Sequence, residues 1–128
     1  MVLQARIESS LMKAVFVESN EFTEWVTDCL TDEEFSVVQQ DLLRDPEAGD
    51  VMPGCGGLRK LRIASRRQGR GKRGGARVIY LHIPQANLIY LITVYGKDQK
   101  DNLTGEEKRL YRQLVQVLKQ RTIGSERV

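Results

Sequence analysis

RVIYLHIPQANLIYLITVYG, residues 77–96, is the stretch on which the architecture depends. β-Branched and aromatic side chains crowd both halves, and Pro84-Gln85-Ala86 interrupts them as a turn. Two strands are therefore predicted, Arg77 to Pro84 and Asn87 to Tyr95. Strands this apolar belong in the middle of a sheet. Upstream, Leu58 to Ala64 (LRKLRIA) reads as another strand, with Leu61 and Ile63 on one face and Lys60 and Arg62 on the other. Between them, RRQGRGKRGG, residues 66–75, is a supple, cationic turn region.

Further out the pattern becomes helical. Met12 to Glu18, within MKAVFVES, is a first strand. Ser19 or Asn20 can cap a helix reaching about Leu30, with Phe22, Trp25, Val26 and Cys29 at helical spacing. Thr31-Asp32-Glu33-Glu34 is a capping box that opens a second helix to about Leu43, burying Phe35, Val38 and Leu42. Asp45-Pro46 ends it, since the residue before proline is pushed out of the α region. Thr104-Gly105-Glu106-Glu107 is a second capping box, starting a C-terminal helix to about Arg121 with Leu110, Leu114, Val117 and Leu118 inward. The order is β-α-α-β-β-β-α. Short turns between the late strands imply an antiparallel sheet of about four strands, and segregated helices imply an α+β sheet covered on one face. The open face would carry Lys60 and Arg62. Residues 12–121 form the domain in this reading, 1–11 an N-terminal extension without structural weight, and 122–128 a frayed tail.

The 128 residues suffice for one core and not for two. No apolar run approaches the ~20 residues of a membrane span, and the N-terminus has no apolar segment of the secretory kind. The expectation is a cytoplasmic protein. Cys29 and Cys55 stand 26 positions apart with no CxxC grouping, and His82 is the single histidine. Two free thiols are expected, and no metal site.

Charge is sharply segregated. From Val51 to Lys97 there is no Asp or Glu, while the same stretch holds Arg59, Lys60, Arg62, Arg66, Arg67, Arg70, Lys72, Arg73, Arg77 and Lys97. All 17 acidic residues lie in the flanks, against the other ten basic ones. Such a footprint suits a polyanion. A solvated loop or a surface for an acidic protein would account for Arg66 to Arg73, but not for basic residues placed inside strands.

Gly69-Arg70-Gly71-Lys72-Arg73-Gly74 spells GxGxxG, yet it leads into a strand rather than a helix, so the dinucleotide reading fails. No Ser or Thr follows Lys72, which excludes a Walker A loop; no cofactor is expected. Lys60, Arg62 and Arg77 can converge beside the end of the last strand, where Tyr95 and Lys97 stand. Cleavage of RNA by its own 2′-hydroxyl needs a proton acceptor, cations for the charged phosphorane-like state and a donor for the leaving oxygen. Lysine, arginine and tyrosine supply these types without a metal. The alternatives are solvent-facing strand positions for the cations, a core role for Tyr95, and packing for His82.

On KAVFVES, TDEEF, GCGGLRKLRIAS, GKRGGARVIYLHI and LITVYGKDQKDNLTGEEK, the chain from Met12 to about Gln120 resembles the RelE/ParE superfamily toxins of the HigB branch. That resemblance implies a RelE-like fold and the toxin of a type II toxin–antitoxin module, a ribosome-dependent mRNA endonuclease (mRNA interferase) acting in the A site. It also implies a neighbouring helix-turn-helix antitoxin of HigA type. By residue, it implies that Lys60 and Arg62 are the basic pair before the loop, Arg77 binds the scissile phosphate, Lys97 is the cation after the last strand, and Tyr95 stands near the aromatic or His of some members. Arg59, Arg66, Arg67, Arg70, Lys72, Arg73 and Lys100 are assigned to RNA contact. Asp98 departs from the arginine common there, and Lys100 is the candidate replacement. Two rival readings share the basic face: a non-catalytic RNA- or ribosome-binding module, and a toxin-derived co-repressor engaging an acidic antitoxin segment.

Overall fold

The computed structural model describes residues 3–7 (as backbone), 14–65, 75–97 and 102–123. Its elements are β1 Leu3–Ile7, β2 Val15–Ser19, α1 Asn20–Cys29, α2 Asp32–Arg44, β3 Asp50–Val51, β4 Arg59–Ile63, β5 Ala76–Ile83, a 3-10 turn Pro84–Ala86, β6 Leu88–Gly96 and α3 Gly105–Ile123. The helix starts follow the local chemistry read from sequence. Ser19 Oγ accepts from the Phe22 amide at 3.0 Å and donates to the Ile92 carbonyl at 2.6 Å, so one side chain caps α1 and ties it to β6. Both capping boxes form: Glu34 with Thr31 and Glu107 with Thr104.

The strands make one sheet in the order β1-β2-β6-β5-β4-β3. The α+β class is as expected, but the sheet is mixed and wider. β2 and β6 are parallel, with Val15 opposite Leu88, while the other pairs are antiparallel. The antiparallel expectation holds for β4, β5 and β6, the last two joined by the short turn at Pro84–Ala86. β2 reaches β6 only by way of α1, α2 and the intervening strands, and a connection that long permits parallel neighbours. Two strands were not anticipated. Leu3–Ile7, within the stretch read as an extension without structural weight, pairs with β2 from Leu3 opposite Ser19 to Ile7 opposite Val15. β3 is two residues long and exists through its pairing with Lys60 and Arg59.

Cores lie on both faces, not one. Phe16, Val78, Tyr80, Ile89 and Leu91 pack under α1 and α2, against Phe22, Val26, Val38 and Leu42. On the other face Ile79, Leu81, Ile92 and Tyr95 pack against Val115 and Leu118 of α3. This is the physical reason β5 and β6 lack alternation, because both phases of each strand are buried. Leu110 and Val117, expected inward, are 54% and 43% exposed, and Tyr111 and Val115 take their place beside Leu114 and Leu118. Trp25 is likewise half out of α1, at 41%.

A register shift changes the aim of β6. Ile79 faces Thr93 while Tyr80 faces Leu91, so Ile92 is an extra residue. Leu91 and Val94 consequently belong to the α1–α2 core, and Ile92 and Tyr95 to the α3 core. The bulge thereby puts Tyr95 on the α3 face, directly across from Arg77.

Candidate nucleic-acid interface

Pairing in the sheet dictates which cations meet. Antiparallel partners share a face. Lys60 lies opposite Ile79, and Arg62 opposite Arg77, which in turn lies opposite Tyr95. All are on the face that α3 partly covers. Beside the segment leading into α3 that face stays open, and Lys60, Arg62, Arg77 and Lys97 line a cleft of about 280 Å³ there with Asn102. The convergence expected of Lys60, Arg62, Arg77 and Lys97 is therefore present in the geometry.

Each cation is held differently. Lys60 Nζ donates to Asn102 Oδ1 at 3.3 Å. Arg62 is exposed and makes an ion pair with Asp50 at 2.9 Å. Arg77 is half-buried, and its Nη1 donates to the Ala76 carbonyl at 3.2 Å. Lys97 is exposed, and its backbone N–H bonds the Gly75 carbonyl at 3.2 Å, closing the end of β6 on the start of β5. Gly75 itself has φ +54°, and a Cβ there would stand 2.8 Å from the Ile63 carbonyl oxygen. A side chain at 75 would thus push on the two strands that carry Arg62 and Arg77. Arg62 and Arg77 directly opposite one another are like charges in a cross-strand pair, an arrangement that lowers stability. A second, adjoining hollow of about 220 Å³ shares Lys60, Arg62 and Asn102 with the first, and adds Asp50, Met52, Leu103 and Lys108.

The other expected site residues are placed elsewhere. Arg59 faces Tyr80, on the α1–α2 side. Its Nη1 donates to the carbonyls of Gly49 (2.8 Å) and Glu47 (3.2 Å), so it fastens the loop after α2. Tyr95 is 6% exposed and packs in the α3 core, behind the cleft rather than in its lining. His82 faces Ile89 on the opposite side of the sheet, and burial lowers its pKa. Arg66, Arg67, Arg70, Lys72, Arg73 and Lys100 lie outside the described residues. Sequence reasoning passed over Asn102 and Asp50. A neutral amide in a polar stretch and an acid in a loop carry no pattern, and only the pairing of β3 with β4 brings Asp50 to Arg62.

The family model described as the RelE toxin of the RelE / RelB toxin-antitoxin system matches residues 14–124. The chain belongs to the RelE toxin family. This RelE-family protein is thus the toxin of a toxin–antitoxin pair, as the resemblance implied, with an antitoxin as its partner. Nearly every element described above falls within the match; β1 alone lies wholly before it. Among the described residues no helix is long and apolar enough to cross a membrane.

Proposed function

We propose that this toxin is an endoribonuclease of the HigB kind that cuts messenger RNA in the ribosomal A site, in the cytoplasm, and is neutralised by a helix-turn-helix antitoxin of HigA type. The observation that carries the reading is the meeting of Lys60, Arg62, Arg77 and Lys97 in one cleft. Four cations around one hollow suit a phosphodiester whose charge rises in the transition state.

In this reading the 2′-hydroxyl oxygen attacks the adjacent phosphorus and the bond from phosphorus to the 5′-oxygen breaks. A 2′,3′-cyclic phosphate and a free 5′-hydroxyl result, so the proton lost by one oxygen is matched by the proton gained by the other. Arg77 and Lys97 stabilise the equatorial oxygens. Arg62 positions the strand, and Lys60, oriented by Asn102, serves proton transfer. Tyr95 backs the strand ends from the core. Arg66, Arg67, Arg70, Lys72, Arg73 and Lys100 are assigned to ribosomal and messenger RNA backbone. Arg59, engaged with Glu47 and Gly49, is left to the fold.

Controlled expression in a bacterial host, with primer extension on several translated transcripts, tests the proposal. New 5′ ends inside codons are expected, absent with Arg77→Ala and suppressed when translation is blocked. A well-folded Arg77→Ala protein that remains fully toxic would sink the assignment. Growth arrest without new ends would favour the non-catalytic binding module.

A further inference from the structure

The hollow that adjoins the cationic cleft is chemically unlike it. Its lining mixes polar and apolar groups: Met52 and Leu103, only 6% and 5% exposed, supply apolar contacts that the residues lining the cleft lack. Asp50 stands in its wall, an unsuitable neighbour for a second phosphate. At about 220 Å³ it is smaller than the roughly 300–1,000 Å³ of sites for drug-sized ligands. Apolar side chains together with a few polar groups form the kind of lining that suits a flat heteroaromatic ring.

The polar groups are also set in sign. A lysine can only donate, so the bond from Lys60 Nζ fixes the Asn102 amide with its oxygen toward Lys60 and its NH₂ outward. Asp50 Oδ2 takes the Arg62 guanidinium, which leaves Oδ1 as an acceptor. One donor and one acceptor therefore share this hollow with the apolar side chains of Met52 and Leu103. Because Lys60, Arg62 and Asn102 line both hollows, a ligand whose phosphate sits among the four cations would place its next group in the second one. Lys108, at the rim, adds a further cation for the continuing strand.

We infer that the hollow lined by Asp50, Met52, Asn102 and Leu103 is a nucleobase subsite, holding the base of the nucleotide whose phosphate occupies the cleft. The inference rests on the phosphate reading of the cleft given under the proposed function. Asn102 and Asp50 read the edge of that base, and Met52 and Leu103 carry its face.

The test uses the purified toxin, with methionine methyl groups labelled for NMR and Met52 assigned through Met52→Leu. The probes are the four nucleoside 5′-monophosphates and ribose 5-phosphate, titrated at low salt. The expected result is that at least one nucleotide binds about tenfold tighter than ribose 5-phosphate, the worth of one good hydrogen-bonded contact. The Met52 methyl signal should move with that nucleotide and stay still with ribose 5-phosphate. Asn102→Ala should lower the affinity for that nucleotide by more than it lowers that for ribose 5-phosphate, closing the tenfold gap between them; an equal loss for both probes would overturn the role of Asn102 in reading the base. Equal binding of all five probes with a silent Met52 would overturn the subsite while leaving the phosphate cleft in place. No binding of any probe would overturn it too, and cleavage in cells is judged separately by primer extension.

Discussion

Arg77 is the residue on which most depends. It faces Arg62 across the β4–β5 ladder and Tyr95 across β5–β6, so its guanidinium is aimed by two registers at once. Removing a like-charge neighbour relieves repulsion of a few tenths to about 1 kcal/mol. Arg77→Ala is therefore expected to equal or exceed the wild type in unfolding by urea, while abolishing toxicity in the expression assay. A destabilised, inactive variant would make the result uninterpretable as chemistry, and Arg77→Lys would then be compared for partial rescue. His82 sits on the other face, where burial lowers its pKa below the usual value of about 6.5. The folded state resists protonation there more than the unfolded chain does. Stability linked to this residue is thus complete above pH ~6.5 and falls as the pH drops from there through the lower, folded value. Thermal unfolding from pH 7.5 to 5 should show a decline that His82→Gln makes shallower; parallel curves for the two proteins would contradict it.

The loop between α2 and β3, fastened from outside by Arg59, is also held from within by one phenol. Tyr80 donates to the Pro46 carbonyl at 2.7 Å and accepts from the Gly49 amide at 2.9 Å, fully buried. A Cβ on Gly49 would meet that ring at 2.8 Å, so glycine is there for close approach. Tyr80→Phe leaves a buried donor and acceptor unmatched, at about 1–3 kcal/mol, measured by urea unfolding. It should also loosen β3, and with it the Asp50–Arg62 pair, seen as a weaker dependence of cleft affinity on Asp50→Asn. On α3 the expected inward face was rotated by about one residue. Leu118→Ala should cost about 2–5 kcal/mol and Val117→Ala less than about 0.5 kcal/mol; similar costs for both would contradict the observed burial. Capping boxes and apolar strands were legible because their causes are local, as at Thr31 and Thr104. The parallel β2–β6 pair, the Ile92 bulge and the two-residue β3 were not, because each is specified by a partner distant in sequence. The site divides the same way. Lys60, Arg62, Arg77 and Lys97 announced themselves by charge on or beside strands, whereas Asn102 and Asp50 matter only through the neighbours that folding gives them.

Across the whole molecule, a modest net charge of +3 hides a cationic centre of four side chains in one hollow. Binding of single-stranded RNA should weaken with salt, with a log–log slope of about −3 from the cleft if each cation meets one phosphate charge, since each contributes about −0.7. Arg77→Ala should reduce that slope by about 0.7, and a slope unchanged by the substitution would place RNA elsewhere. The parallel pairing of β2 with β6 also orders events in time. Val15 leaves the synthesising ribosome 73 residues before its partner Leu88, and Ser19 the same distance before Ile92. Contacts so far apart form late, because the intervening chain must first be closed into a loop. The cleft rests on β4 and β5, which β6 braces, so its floor cannot settle until the last strand has been made. A toxin wired in this way is born unarmed, and its antitoxin gains the interval between the making of the first strand and the locking of the sheet.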